Sequence, residues 1–149
     1  MTAIQFYHLT ATPLERALPK LLQKAFDGGF KTLVVADSDA RVDQLNQLLW
    51  TYDPNSFLPH GSEKDGQSEK QPILLSTSAA PKNDANLLAI TDGRMLENAA
   101  GFERVLDIFD GGNAEAVASA RARWSEYKNA GHEISYFRQT DAGGWEKAA

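Results

Sequence analysis

The chain has 149 residues, 42% of them hydrophobic, with 20 acidic and 15 basic side chains and a formal net charge of −5. This length suits one core, so we expect residues 1–149 to form a single domain. The negative charge disfavours direct nucleic-acid binding, and the absence of cysteine excludes disulfides, thiolate metal sites and cysteine nucleophiles. No run of about 18 apolar residues could span a membrane, so we expect a cytoplasmic protein.

Strand-like and helix-like segments alternate in the first half of the chain. The run AIQFYHL has strand length at 3–9, and Thr12 is predicted to cap the helix that follows it. KTLVVA at 31–36 is almost continuously apolar, as in parallel strands that are buried on both faces. Ser38 or Asp39 is predicted to cap the next helix. This alternation indicates right-handed crossovers and a layered α/β fold.

Further strands and one long helix are predicted in the second half. The apolar runs PILLST, NLLAIT and FERVLDIFD predict strands at 72–77, 86–91 and 102–110. The last long helix is predicted to begin after Asn113 and to stop at Gly131, with a strand following at 132–140. The polar stretch 61–71 is expected to be a mobile loop, and 141–149 a frayed tail.

The usual signatures of a phosphate-binding site are absent. Residues 1–27 contain no glycine, so the first strand–helix turn lacks the Gly-rich fingerprint of a dinucleotide site, and GxxxxGK[ST] does not occur. The three histidines do not have the i, i+4 spacing of a metal pair on one helix face. We therefore expect that the protein binds no nucleotide, metal or other cofactor and has no catalytic residues.

An Asp-x-Asp pair is the one feature that suggests an enzyme. Asp37 and Asp39 resemble the nucleophile loop of haloacid-dehalogenase-like phosphatases, where one carboxylate attacks phosphorus and the other handles the leaving-group proton beside Mg²⁺. The alternative function is therefore a Mg²⁺-dependent phosphohydrolase. Arg41 departs from that pattern, which has Thr or Val there, and this favours a helix cap and a strand end instead.

The last helix carries a basic and aromatic stripe. At about 100° per residue, Val117 at 0° places Arg121 near 40°, Trp124 near 340° and Lys128 near 20°. Such a stripe suits a ligand that combines an apolar residue with carboxylates. The alternative is that Trp124 covers the edge of the core while Arg121 and Lys128 lie over it with their charged tips in water.

A second apolar surface is predicted in LLWTYDPNSFLPHG. Its large side chains are Trp50, Tyr52, Phe57, Leu58 and Pro59. More apolar surface gathers here than a turn needs, which is typical of a partner-binding site. The alternative is a hydrophobic lid that folds back on the core.

Three segments carry a resemblance that extends over nearly the whole chain. FYHL, KTLVVADSDARVDQLNQLLWTYDPNSFLPHG, and RVLDIFDG with ARARWSEYKNAGHEISYF resemble the chi subunits of bacterial DNA polymerase III. The most specific part is LLWTYDPNSFLPHG, whose Leu-Trp and Ser-Phe-x-Pro-His elements recur in that family at this place. The resemblance implies a three-layer, Rossmann-like α/β fold with a mostly parallel sheet flanked by helices. It also implies a non-catalytic accessory subunit without nucleotide or metal.

The resemblance further implies two partners, which the subunit bridges in DNA replication. In the family, the last helix binds the acidic, phenylalanine-terminated tail of single-stranded DNA-binding protein through a basic and an aromatic residue, matched here by Arg121 and Trp124. The surface matched by Trp50, Phe57 and Pro59 faces the psi subunit of the clamp-loader complex. The partner of that surface here is psi, the clamp loader itself or a helicase.

The tail site departs from the family pattern at two positions. Trp124 stands where many relatives have tyrosine, which keeps the apolar face. Ser125 replaces a lysine that is often found there. Lys128 and Arg123 are the nearby cations that could supply the missing charge.

Overall fold

The computed structural model describes residues 2–53, 58–78, 80, 82–93 and 101–148. Within these ranges the chain forms eight strands and three α-helices. The strands are Ala3–Leu9 (β1), Thr32–Val35 (β2), Gly61–Ser62 (β3), Ile73–Ser76 (β4), Leu87–Ile90 (β5), Arg104–Asp110 (β6), Glu133–Gln139 (β7) and Trp145–Lys147 (β8). The helices are Leu14–Asp27 (α1), Asp39–Thr51 (α2) and Ala114–Asn129 (α3).

The eight strands form one sheet in the order β3-β4-β2-β5-β6-β1-β7-β8. Neighbouring strands are parallel except for β7 and β8, which are antiparallel. All residues of β2, β4 and β5 are buried, as expected for parallel strands with both faces covered. The predicted mostly parallel sheet is therefore confirmed.

Helices cover both faces of this sheet. On one face, Leu18 and Leu22 of α1 and Leu45 of α2 share a core with alternate residues of the strands. On the other face, Ala120 and Tyr127 of α3 pack against the remaining strand residues. This arrangement confirms the three-layer α/β fold. None of the described helices has the length and apolar character needed to cross a membrane.

Two predicted helix caps are present. The Ser38 hydroxyl accepts a hydrogen bond from the Arg41 backbone N–H at 3.1 Å, so Ser38 rather than Asp39 caps α2. The Asn113 side chain accepts hydrogen bonds from the N–H groups of Glu115 and Ala116, at 3.0 and 3.1 Å. These bonds satisfy donors that would otherwise have no partner inside the helix.

The predicted cap of α1 is wrong. Pro13 is the N-cap residue, without a side-chain hydrogen bond, and the Thr12 hydroxyl instead accepts from Gln139 Nε2 at 2.7 Å. The reason is the buried amide of Gln139, whose Oε1 accepts from the backbone N–H groups of Thr10, Ala11 and Thr12. The end of β7 therefore fixes the β1–α1 connection.

The segment expected to be a frayed tail contains β8, so that prediction is corrected. Trp145 of β8 meets the Tyr7 ring edge-on, with centroids 4.9 Å apart, and Tyr7 stacks on Phe137 at 5.2 Å. The three rings bury one another on the α1 face of the sheet, which ties β8 to β7.

The segment 61–71, expected to be a loop, contains regular structure. Gly61 and Ser62 pair with β4, and two 3-10 helices follow at Glu63–Asp65 and Ser68–Lys70. Glu63 accepts a hydrogen bond from Ser76 at 2.7 Å and forms an ion pair with Lys82 at 2.5 Å. These bonds lower the pKa of the Glu63 carboxyl and attach the segment to the sheet.

Candidate functional site

An open groove of about 490 Å³ lies between α3 and the strands β1, β6 and β7. We call it the α3 groove. It is lined by Phe6, Phe109, Val117, Ala120, Arg121, Trp124, Ser125, Tyr136, Arg138 and Ala148. The structure thus brings together three residues of the predicted stripe, Val117, Arg121 and Trp124. The fourth, Lys128, lies in the last turn of α3 and does not line the groove.

The floor of the groove is aromatic. The Trp124 ring lies 5.5 Å from Phe6 and 5.9 Å from Tyr136, and Tyr136 lies 6.4 Å from Phe109, between ring centroids. Trp124 is partly buried against the core, so it covers the core edge and also lines the groove. The interpretation of Trp124 as a cover of the core edge is therefore confirmed, and its role in binding a ligand stays a prediction.

Two exposed arginines line the groove, one from the helix and one from the sheet. Arg121 comes from α3 and Arg138 from β7, where Ile134, Tyr136 and Arg138 alternate onto the face that α3 covers. Within the described part of the chain, neither arginine forms a salt bridge or a side-chain hydrogen bond. Both guanidinium groups are therefore available to bind an anion.

His8 of β1 contacts two aromatic residues of the groove. Its ring is 4.9 Å from the Phe109 ring, and its Nδ1 shares a hydrogen bond with the Tyr136 hydroxyl. Gly111 makes room for it, because a Cβ atom there would overlap the imidazole and the Leu9 carbonyl oxygen. The imidazole thereby fixes the orientation of one aromatic residue of the floor.

The pKa of His8 is lowered below its usual value. Burial is the largest cause, the positive charges of Arg138 and Arg121 add to it, and the Asp110 carboxylate opposes it. The imidazole is therefore neutral at pH 7. Both arginines line the groove, which is consistent with their shared effect on His8.

Arg123 is not available as a surface cation, contrary to the expectation from the sequence. It is 4% exposed, and its Nε and Nη2 donate to the two carboxylate oxygens of Asp107 at 2.6 and 2.9 Å. Its Nη1 donates to the Gly93 carbonyl oxygen and to Ser119 Oγ. Burial raises the pKa of Asp107, and the contacts of Arg123 oppose that rise. Arg123 holds α3 on the sheet.

The second predicted surface lies at the end of α2. Trp50 is 54% exposed, and its ring lies 4.6 Å from the buried ring of His60. Pro59 precedes His60 and is partly buried, whereas Leu58 belongs to the core. Leu58 thus folds back on the core, as the lid interpretation predicted, whereas Trp50 presents an apolar surface to solvent. Phe57 lies outside the described residues.

A separate concavity of about 760 Å³ lies at the carboxyl ends of β1, β2, β5 and β6, where α/β proteins often bind ligands. We call it the crevice. Asp37 lines it and donates its backbone N–H to the Asp92 carboxylate at 2.8 Å. Asp39 lies in the first turn of α2 and does not line it. The two carboxylates proposed for phosphoryl transfer therefore do not face a common site.

The charges of the crevice are also unfavourable for a phosphate. Arg41, one of the arginines that line it, already pairs with Glu15 at 3.3 Å and Asp92 at 3.5 Å. The other, Arg123, pairs with Asp107. The remaining wall includes further carboxylates, so an anion would meet mainly like charge. Among the described residues, no group of three or more His, Asp or Glu side chains could hold a metal ion.

Comparison with known proteins identifies the family of this chain. The family model described as DNA polymerase III chi subunit, HolC, matches residues 1–135. The probable DNA polymerase III subunit chi of Rickettsia prowazekii (strain Madrid E) is 27% identical over 156 residues, covering 100% of this chain and 93% of that protein. The DNA polymerase III subunit chi of Haemophilus influenzae (strain ATCC 51907 / DSM 11121 / KW20 / Rd) is 25% identical over 137 residues, covering 88% and 93%. The chain belongs to the DNA polymerase III chi subunit family.

Proposed function

We propose that this chain is a non-catalytic subunit of DNA polymerase III that attaches the polymerase complex to single-stranded DNA-binding protein during replication. The family supports a role within the polymerase complex. The observation that supports the finer role is the α3 groove, where an aromatic floor lies beside guanidinium groups that have no intramolecular partner among the described residues.

An acidic peptide that ends in phenylalanine fits this groove chemically. Its terminal ring can pack on Trp124 and Tyr136, since aromatic pairs are favourable beyond the area that they bury. A carboxylate can form two parallel hydrogen bonds with the guanidinium of Arg121. The protein has a net charge of −5, so a polyanion such as DNA is repelled overall, while a short acidic tail needs only this local positive region.

The surface formed by Trp50 and Pro59, which we call the Trp50 surface, is proposed as the contact with the rest of the polymerase complex. It lies at the end of α2, which packs near β3 and β4, whereas the α3 groove is on the opposite face near β1, β6 and β7. A partner on one surface therefore leaves the other accessible. The proposed partner is the psi subunit or the clamp loader directly, and a helicase could use the same surface.

The tail-binding role is tested by fluorescence anisotropy with a labelled peptide of the C-terminal tail of the host single-stranded DNA-binding protein. We expect saturable binding that Arg121→Ala weakens by about 1–3 kcal/mol, the range for losing a charged hydrogen-bond partner. Arg16→Ala removes the same charge from the exposed surface of α1 on the other face and serves as the matched control. Absent binding, or equal losses in both variants, would contradict this role.

A further inference from the structure

We propose that Arg138 provides the second cation of the α3 groove and binds a carboxylate of the bound acidic peptide, a role that neither Lys128 nor Arg123 fills. This inference rests on the proposed function, because it concerns the same ligand. It goes further by assigning a residue from the sheet, rather than the helix, to recognition.

The position of Arg138 suits this role. It is exposed on β7, faces the side of the sheet that α3 covers, and lines the groove together with Tyr136. Glu146 is its partner in the β7–β8 register, yet the two side chains form no salt bridge. A guanidinium in this position can contact a ligand without first breaking an ion pair.

The other candidate cations are unsuited to the task. Arg123 is buried, with Nε and Nη2 donating to Asp107 and Nη1 donating to Gly93 and Ser119. Lys128 is exposed but does not line the groove, and its place in the last turn of α3 favours interaction with the helix end. Ser125, which does line the groove, is uncharged. The helix wall therefore contributes one cation, Arg121, and the sheet wall contributes Arg138.

The two cations belong to one site. Both line the same groove, with Trp124 and Tyr136 of the aromatic floor also lining it. Burial is the largest cause of the lowered pKa of His8, and the charges of both arginines add to it. Because they come from different walls with aromatic rings between them, they suit a ligand with two separate carboxylates. A peptide with a free carboxyl terminus and an acidic side chain near its last aromatic residue meets this requirement.

The test compares Arg138→Ala with Lys128→Ala, each of which removes one exposed positive charge. Titrations use the labelled acidic, phenylalanine-terminated peptide and a second peptide in which the acidic side chains are replaced by their amides. We expect Arg138→Ala to weaken binding of the acidic peptide at least about tenfold and Lys128→Ala by no more than about fivefold. We also expect Arg138→Ala to bind the two peptides with more similar affinities than the wild type does, and Arg138→Lys to recover part of the loss.

The outcomes separate this inference from the function on which it rests. If the wild type binds the acidic peptide but Arg138→Ala binds as well as Lys128→Ala, the second cation is assigned wrongly and the tail-binding role stands. If the wild type does not bind the peptide, both are overturned. Thermal unfolding of each variant checks that the exposed substitutions leave the fold intact. If Arg138→Ala is unfolded, the affinity of Arg138→Lys for the two peptides is compared with that of the wild type instead.

Discussion

Arg121 and Arg123 lie two positions apart on α3 and reach opposite environments. Two residues turn a helix by about 200°, so one side chain faces the groove when the other faces the sheet. Arg121 is exposed, whereas Arg123 is 4% exposed against Asp107, which is 0% exposed. Identical side chains thus lie exposed in the groove in one case and hold the helix on the sheet in the other.

Arg123→Ala is expected to destabilise the fold strongly. Removing one partner of a buried ion pair leaves the other charge without compensation, which costs about 3–5 kcal/mol. In this variant the buried carboxylate of Asp107, on the central strand β6, would have lost its charged partner. Urea unfolding measures the change, with Arg121→Ala as the control, for which about 0.5 kcal/mol or less is expected. Similar unfolding midpoints for the two variants would show that the buried ion pair contributes little to the free energy of unfolding.

The helix wall of the groove is predictable from helical angles. Spacing alone puts Val117, Arg121 and Trp124 on one stripe, and all three line the groove. Arg138 could not be found in this way because it lies on a strand. Its signal is the alternation of Ile134, Tyr136 and Arg138, which becomes informative once the face of the sheet that α3 covers is known.

At the level of elements, β8 shows where local patterns are insufficient. The segment DAGGWEKAA has two adjacent glycines and few apolar residues, which favours a tail. This strand is anchored by the contact of Trp145 with Tyr7, a residue of β1 that in turn stacks on Phe137 of β7. The same holds for Thr12, whose hydrogen-bond partner Gln139 lies at the carboxyl end of β7 and is remote from it in the sequence. Helices and buried strands were predictable from periodicity, while these contacts depend on the tertiary fold.

Trp145→Ala is expected to lower the free energy of unfolding by about 1–2 kcal/mol. The loss combines the edge-on contact with Tyr7 and the partial burial of the indole. Glu146→Ala is the matched control on the same strand, because Glu146 is exposed and a change within about 0.5 kcal/mol is typical of such sites. Chemical denaturation distinguishes them, and equal stability of both variants would indicate that β8 does not hold the edge of the sheet.

Over the whole molecule, the order of strands is the property that the sequence leaves open. Alternating strand and helix patterns predict layers and crossovers because they depend on local spacing. The order β3-β4-β2-β5-β6-β1-β7-β8 depends instead on which strands pair at long range. It is this order that puts the α3 groove near one end of the sheet and the Trp50 surface near the other.

The two surfaces lie on opposite faces of the sheet, so one chain has room for a partner on each of them. In the proposed function, this chain joins single-stranded DNA-binding protein to the polymerase complex through them. A direct measurement uses surface plasmon resonance on immobilised single-stranded DNA coated with the host binding protein. The chain is injected first and the host clamp-loader complex lacking chi is injected second.

We expect the clamp-loader complex, injected at low concentration, to be retained on the coated DNA only when the wild-type chain has been bound first. With Arg121→Ala this retention should be lost. Trp50→Ala should still bind the coated DNA but should retain less of the clamp-loader complex, since that side chain is 54% exposed on the other surface. Equal retention with and without the chain, or with wild type and Arg121→Ala, would contradict the bridging role.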